Sequence, residues 1–355
     1  MTKDELLKHI NSDDTISKCK LESLDLSSMD LSGVRFENVE FLDVNLSSVK
    51  ILKTGFQKCN FQKCNFNGVN FHKLKWQNMS LNRCSFVGAN LTKANFISMN
   101  FNESDFRDAK MPEATFFKST LNGVSFEQTN CNKTNFAKSK MQGSTFLNCN
   151  LRSTIFFKTD MSETKFIKTN LFKVVLMKCS LLEQNFENAT LNMVQFNSSD
   201  LSKTNFDGAD LTQTNFYKCI LESCSFKGVK AKNAIFTEAK IKSIDFSSAY
   251  LYQTNFEKAE ILNTNFQSAN IEQSYFVEST CTNSFFKNSN LKYANFSHAS
   301  FEDVYLKDTD LSHALVHEIK LKNSNLNEAN SLGVRESDPE LLEAEQFVYK
   351  GDRDE

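Results

Sequence analysis

Residues 199–216 read Ser-Asp-Leu-Ser-Lys-Thr-Asn-Phe-Asp-Gly-Ala-Asp-Leu-Thr-Gln-Thr-Asn-Phe, and an apolar residue recurs at every fifth position, Leu201, Phe206, Leu211 and Phe216. The register extends in both directions, from Leu21 to Leu326, through 62 consecutive positions without an insertion or a deletion. A period of five belongs neither to an α-helix nor to an ordinary strand. With the apolar position called i, position i−2 is almost always small, as in Ala89, Thr134, Ser144 and Ala209. Position i−1 is most often Asn or Asp, as in Asn95, Asn135, Asn205 and Asp210, while i+1 and i+2 are mostly polar. Of 34 Phe residues 29 sit at i, the exceptions being Phe117, Phe157, Phe172, Phe285 and Phe347, and none of the seven Tyr residues does. A buried phenol needs a partner for its hydroxyl and Phe does not, so this sorting marks i as the interior.

Units such as Ala-Asn-Phe at 94–96, Thr-Asn-Phe at 204–206 and Ala-Asp-Leu at 209–211 resemble the pentapeptide repeat family, over about six sevenths of the chain. The resemblance implies an all-β solenoid, a right-handed quadrilateral β-helix in which each pentapeptide forms one side and four form a coil of 20 residues. At that period Phe66, Phe86, Phe106 and Phe126 fall in one column and Phe96, Phe116, Phe136 and Phe156 in another. About 15 coils at the β-sheet spacing of about 4.8 Å make an expected rod roughly 75 Å long. Solenoid ends expose unpaired backbone, so covers are expected there. Residues 1–19 read as an N-terminal helical cap with Leu6, Leu7 and Ile10 on one face, 20–330 as the β-helix, and 331–355 as a C-terminal capping helix and acidic tail. Asp338 and Pro339 suit the start of that helix, whose apolar residues are Leu341, Leu342, Phe347 and Val348. Some members of the family pair two rods through such a helix, so a homodimer is what the resemblance implies.

The N-terminus has no charged region followed by an apolar run, and no stretch approaches the roughly 20 apolar residues that span a bilayer. A soluble chain is expected, in the bacterial cytoplasm or delivered into a host cell by a leaderless secretion system. Cys19, Cys59, Cys64, Cys84, Cys149, Cys179, Cys219 and Cys224 fall at i−2, and Cys131 and Cys281 at i. All ten are expected to point inward as small hydrophobes. His9, His72, His298, His313 and His317 show no metal-ligand spacing; His313 and His317, four apart, fall on adjoining sides of a coil. There is no glycine-rich phosphate loop, and a solenoid without long loops offers no deep pocket. No catalytic residue, cofactor or metal is expected, and the chain reads as a non-enzyme.

The outer surface carries the remaining information. Residues 44–182 hold twenty basic and seven acidic groups, whereas residues 1–43 and 183–355 are net acidic, although the whole chain is nearly neutral. On the side through Phe96, Phe116, Phe136 and Phe156, position i+2 reads Lys118, Lys138, Lys158 and Lys178. Position i+1 reads Ile97, Phe117, Ala137, Phe157 and Met177, with Ile155 and Val175 at i−1. An exposed apolar ladder beside a lysine ladder is expected there, a candidate partner-binding surface. The acidic half offers a weaker candidate in Tyr250, Tyr252, Tyr275, Phe285 and Tyr305.

The first functional reading is a protein-interaction scaffold, in the manner of pentapeptide proteins that intracellular bacteria deliver into host cells. Glu340, Glu343 and Glu345 resemble the acidic tails of secreted substrates and equally suit a capping helix. The alternative that the resemblance implies is a DNA mimic that binds a type II topoisomerase, DNA gyrase, and confers quinolone resistance. The basic belt opposes it by charge. A third alternative is a nucleic-acid-binding rod, since lysines interleaved with Phe can contact phosphates and bases. Lysine-dominated surfaces are general among soluble proteins, so nucleic acid is not the expected partner.

Overall fold

The computed structural model describes residues 1–12 and 14–347. The pentapeptides make about 15 turns of right-handed, parallel-strand quadrilateral β-helix, with one short helix at each terminus. Two compact units divide the chain, Met1–Asn205 with Ala209–Asn215 and Phe206–Gly208 with Phe216–Glu355.

In the first unit, three-residue strands pair in parallel with partners 20 residues away, so that Phe41 faces Phe61 and Phe96 faces Phe116. The ladder begins one step before Leu21, with Ile16 opposite Phe36. In the second unit one six-stranded sheet runs from Ile220–Glu222 to Lys320–Lys322, and isolated bridges continue to Asn330 and Arg335. Both units pack the same core. Phe126 and Phe146 stack with ring centroids 4.7 Å apart and planes 5° apart, and Phe266 and Phe286 do so at 4.6 Å and 10°. Burying such a ring contributes about 2–3 kcal/mol.

Each position of the pentapeptide has one physical task. The N–H of i donates to the next coil, as Phe126 N–H does to the Thr145 carbonyl at 2.9 Å. The Asn at i−1 accepts from the N–H of i+1, as Asn65 Oδ1 does from Asn67 at 2.9 Å, and its amide donates to Asn45 Oδ1 one coil below at 3.1 Å. This is the local side-chain turn that Asn and Asp favour. Position i−2 also points into the core and is held mostly by small residues, with larger apolar ones such as Met79, Met99 and Ile244 buried there too. Hydroxyls at that position donate to a core carbonyl, as Thr134 Oγ1 does to Met111 O at 2.7 Å and Ser144 Oγ to Leu121 O at 2.6 Å. Cysteine does the same, Cys59 Sγ reaching Phe36 O at 3.7 Å.

Position i+2 is the corner. From Ser23 to Asn323 its non-glycine residues have φ between +49° and +60°, and none of them is Val, Ile or Thr. Left-handed backbone crowds Cβ against the next carbonyl, and a branched Cβ worsens the contact. Unbranched Lys, Glu, Gln and Ser, and Asn, occupy the corners with their polar ends in water.

The N-terminal helix α1 (Lys3–Asn11) starts with a capping box between Thr2 and Glu5 and buries Leu6 alone; Leu7 is exposed and Ile10 half-buried. The C-terminal helix α2 (Pro339–Gln346) has Asp338 as its N-cap and buries none of its residues. Leu341 is exposed, Leu342 half-buried and Phe347 exposed, and Val348 lies outside the described residues. Leu321 and Leu332 of the last coil are also exposed.

The corner rule is testable at Lys138, where φ is +58°. Lys138→Val is expected to lower stability in urea denaturation, because a branched Cβ adds to the crowding that lysine already tolerates in left-handed backbone, while Lys138→Gly stays within about 1 kcal/mol of the parent. Equal stabilities of the two variants would refute this account.

Candidate partner-binding surface

The side carrying the lysine row is built from consecutive rungs of the first unit. Ile97 lies opposite Phe117 in paired strands, and bridges join Asn135 to Ile155 and Ile155 to Val175. The expected exposed apolar ladder needs correction. Ile97, Phe117, Phe157, Val175 and Met177 are half-buried, Ala137 is buried, and of these residues Ile155 alone is exposed. The reason is that lysines lie over the rings. Lys118 and Lys138 Nζ stand 5.4 and 5.5 Å from the Phe117 centroid, and Lys158 Nζ stands 5.6 Å from that of Phe157. Aliphatic stems cover apolar surface while the ammonium groups stay in water and interact with the ring faces. Phe172, on the adjoining side, is covered likewise by Arg152 at 4.9 Å and Lys173 at 5.3 Å.

The surface is therefore cationic more than apolar, and its charge is uncompensated. Among the described residues, Lys118, Lys138, Lys158 and Lys178 have no carboxylate within 4.0 Å, although they occupy the same corner of four successive coils. In the second unit the same corner alternates in sign: Lys218 pairs with Glu238 at 3.1 Å and Lys258 with Glu278 at 3.6 Å. Like charges facing each other across a ladder are destabilising. The lysine row thus departs from the pattern that relieves this repulsion.

The weaker tyrosine candidate is dispersed. Tyr250 and Tyr252 stack on one side at 6.1 Å, Tyr275 stands on the next, and Phe285 and Tyr305 stack at 5.0 Å on a third. Tyr250, Tyr275, Phe285 and Tyr305 are exposed and Tyr252 is half-buried.

One cluster was missed by sequence spacing. His298 Nε2 and His317 Nε2 lie 3.2 and 3.3 Å from the Glu345 carboxylate of α2. A spacing of 19 residues, one less than a coil, was the available signal, for it places i+2 of one coil beside i+1 of the next. The three ligand atoms lie within 4.8 Å of one another, a distance compatible with a metal ion. The hydrogen bonding opposes that role. His317 is buried and its Nδ1 accepts the Asp338 N–H at 3.1 Å, so its proton sits on Nε2 and points at Glu345. A metal-bound histidine has the reverse arrangement, donating through its second nitrogen. The trio is a latch that ties α2 to two coils.

Comparison with known proteins accounts for this construction. The profile of the Pentapeptide repeat region matches residues 15–91, 79–157 and 199–276, and that of Pentapeptide repeats (8 copies) matches 179–216 and 273–308. The chain belongs to the pentapeptide repeat family. Among solved structures it is similar to HetL, a pentapeptide repeat protein involved in heterocyst differentiation regulation from a Nostoc cyanobacterium (18% identity, 67% of this chain and 90% of that one, TM-score 0.29). It is also similar to a pentapeptide repeat protein of the Arabidopsis thaliana thylakoid lumen (33% identity, 29% and 68%, TM-score 0.22). A third is full-length QnrB1, a plasmid-mediated fluoroquinolone resistance protein (11% identity, 76% and 100%, TM-score 0.19). Comparison with curated protein sequences gives no match. No helix among the described residues is long and apolar enough to cross a membrane.

In this pentapeptide repeat protein nine of the ten cysteines are buried free thiols, and Cys19, expected inside, is half-exposed. Cys19 lies in the first coil, where a complete coil below is lacking. Burial pushes Cys59 and Cys149 up to about 11 and Cys179 and Cys281 up to about 12. Reaction of the folded protein with a thiol reagent is accordingly expected to modify Cys19 alone, read by peptide mass spectrometry; fast labelling of Cys149 or Cys179 would contradict the assignment.

Hydrogen bonds from His298 and then His317 hold the Glu345 carboxyl below its ordinary range. A lowered carboxyl stabilises the folded contact above the ordinary range, and that contribution is lost as pH falls through the lowered value. The imidazole proton resonances of His298 and His317 are expected to follow this carboxyl titration in the parent and to lose it in Glu345→Gln. Identical titration curves would remove the latch.

Proposed function

We propose that this pentapeptide repeat protein is a non-catalytic scaffold that docks an acidic protein segment along the lysine face of its first unit. The observation that supports the reading is the row Lys118, Lys138, Lys158 and Lys178, four successive corner cations without carboxylate partners among the described residues. The half-buried Phe117 and Phe157 and the exposed Ile155 sit between these cations. An incoming carboxylate row at the strand spacing would neutralise the lysines, and displaced ammonium groups would uncover the rings for apolar side chains. A loop-free face of this kind needs no loop to order on its own side, so the cost there is limited to the freedom its lysine side chains lose. Charge also sets the choice of partner: the face repels basic surfaces and attracts acidic ones, with an association rate that falls as salt rises.

Stability and binding are set against each other here, which makes the reading testable. Lys138→Glu/Lys178→Glu recreates the alternation seen at Lys218 and Glu238. Each new exposed pair is worth up to about 1 kcal/mol, so the double variant is expected to melt slightly higher than the parent. Anisotropy of a labelled glutamate-rich peptide is expected to report salt-dependent binding to the parent and at least about tenfold weaker binding to the variant. Equal affinities, or tighter binding of duplex DNA than of the peptide, would overturn the proposal.

A further inference from the structure

Within the first unit the backbone ladder is broken on two adjoining sides between residues 161–170 and 181–190. Bridges join Thr145 to Lys165 and Asn150 to Asn170 below the break, and Asn185 to Asn205 and Thr190 to Asp210 above it. Among the described residues none joins Lys165 to Asn185 or Asn170 to Thr190. The N–H groups of Phe166, Lys168 and Leu171 find no acceptor there, whereas their counterparts Phe126, Gln128 and Cys131 donate at 2.8–2.9 Å to Thr145, Leu147 and Asn150. On the other two sides the coils stay joined, through Ile155 and Val175, Val175 and Gln195, and Asp160 and Ser180.

The core opens with the backbone. Phe166 and Phe186 sit 6.0 Å apart and tilted by 30°, against 5.4 Å and 7° for Phe146 and Phe166 one coil below. Phe166 is half-exposed, unlike the other core phenylalanines. A cleft of about 780 Å³ enters between Glu163–Lys168 and Leu182–Asn185, and Ile167 and Leu182 stand exposed at its rim.

The cause lies at position i−2. In this column Ser144, Thr164 and Thr204 donate to Leu121 O at 2.6 Å, Met141 O at 2.9 Å and Leu181 O at 3.1 Å. Residue 184 is Gln, a long polar side chain in a position otherwise held by short or apolar ones, and it is buried. Apolar side chains of similar length, Met79 and Met99, are buried at this position elsewhere, but Gln184 brings a carboxamide into the core where its column otherwise places a hydroxyl bonded to a carbonyl. At the adjoining corner Glu183 follows Glu163, one coil apart, and Glu183 turns to Lys203 at 2.9 Å in the coil above.

A second interruption also spans two sides: among the described residues no bridge joins Lys50 to Asn70, and the strand Gly55–Gln57 has no strand partner in Lys75–Gln77. A cleft of about 770 Å³ lies against residues 48–53 and 72–74 there. Phe56 and Trp76 nevertheless stay buried, their rings 5.4 Å apart in edge contact, whereas Phe166 is partly uncovered.

We infer that the seam between residues 161–170 and 181–190 is a hinge in the solenoid, wedged open by Gln184, with the joined sides through Val175 and Ser180 as its spine. The solenoid bends and admits solvent there, and a hydroxyl at position 184 closes it by restoring the bond to Met161 O. Amide hydrogen exchange on the full chain tests this. Peptides covering 166–171 and 185–190 are expected to exchange at least about tenfold faster than those covering 126–131 and 246–251. In Gln184→Thr their protection is expected to rise to that of the reference coils, with Gln184→Ser as a second closing variant should the first not fold. Equal protection of seam and reference coils in the parent would overturn the hinge. Unchanged fast exchange in a folded closing variant would overturn the role of Gln184.

Discussion

The structure depends on one constraint, that every coil must present its backbone N–H and C=O groups to the coils above and below at a fixed spacing. A quadrilateral coil meets it only by turning sharply four times, and at each turn one residue adopts left-handed backbone. Each coil-to-coil hydrogen bond contributes about 1 kcal/mol net, so stability accumulates rung by rung through nearest neighbours. The five positions of the repeat then acquire their chemistry: an apolar side chain for the axis, a mostly small one at the second inward position, an Asn or Asp for the turn and an unbranched one for the corner.

That constraint gives the lysine face two explanations operating at different levels. Lysine is acceptable at a corner because its Cβ is unbranched, and this accounts for its frequency at i+2. It does not account for the sign of successive corners. Glu is equally unbranched, and the second unit alternates Lys218 with Glu238 and Lys258 with Glu278. Four lysines in succession therefore carry information beyond the needs of the fold, and this uncompensated charge is what the functional reading rests on.

Departures from the rule locate the places where the molecule differs from an ideal solenoid. At Gln184 the ladder opens on two sides and Phe166 is partly uncovered; beside Trp76 it is also interrupted on two sides, while Phe56 and Trp76 stay buried. At the C-terminus the apolar register outlasts the burial: Leu321 still aligns with Phe301 but has no full coil above it and is exposed. Helix α2 buries none of its residues and is tied to the coils by Glu345 between His298 and His317.

The register determined the coil, the columns of Phe, the inward placement of nearly all the cysteines and the alignment of the four lysines, because each is a property of position within a five-residue unit. The tertiary structure decided how those positions meet. That Phe117 and Phe157 lie under lysines, that His317 meets His298 and not His313, and that one glutamine parts two coils all depend on side-chain length and direction between neighbouring coils. Periodicity places side chains on a side of the solenoid, but contact between them is decided by volume, conformation and hydrogen-bonding partners in three dimensions.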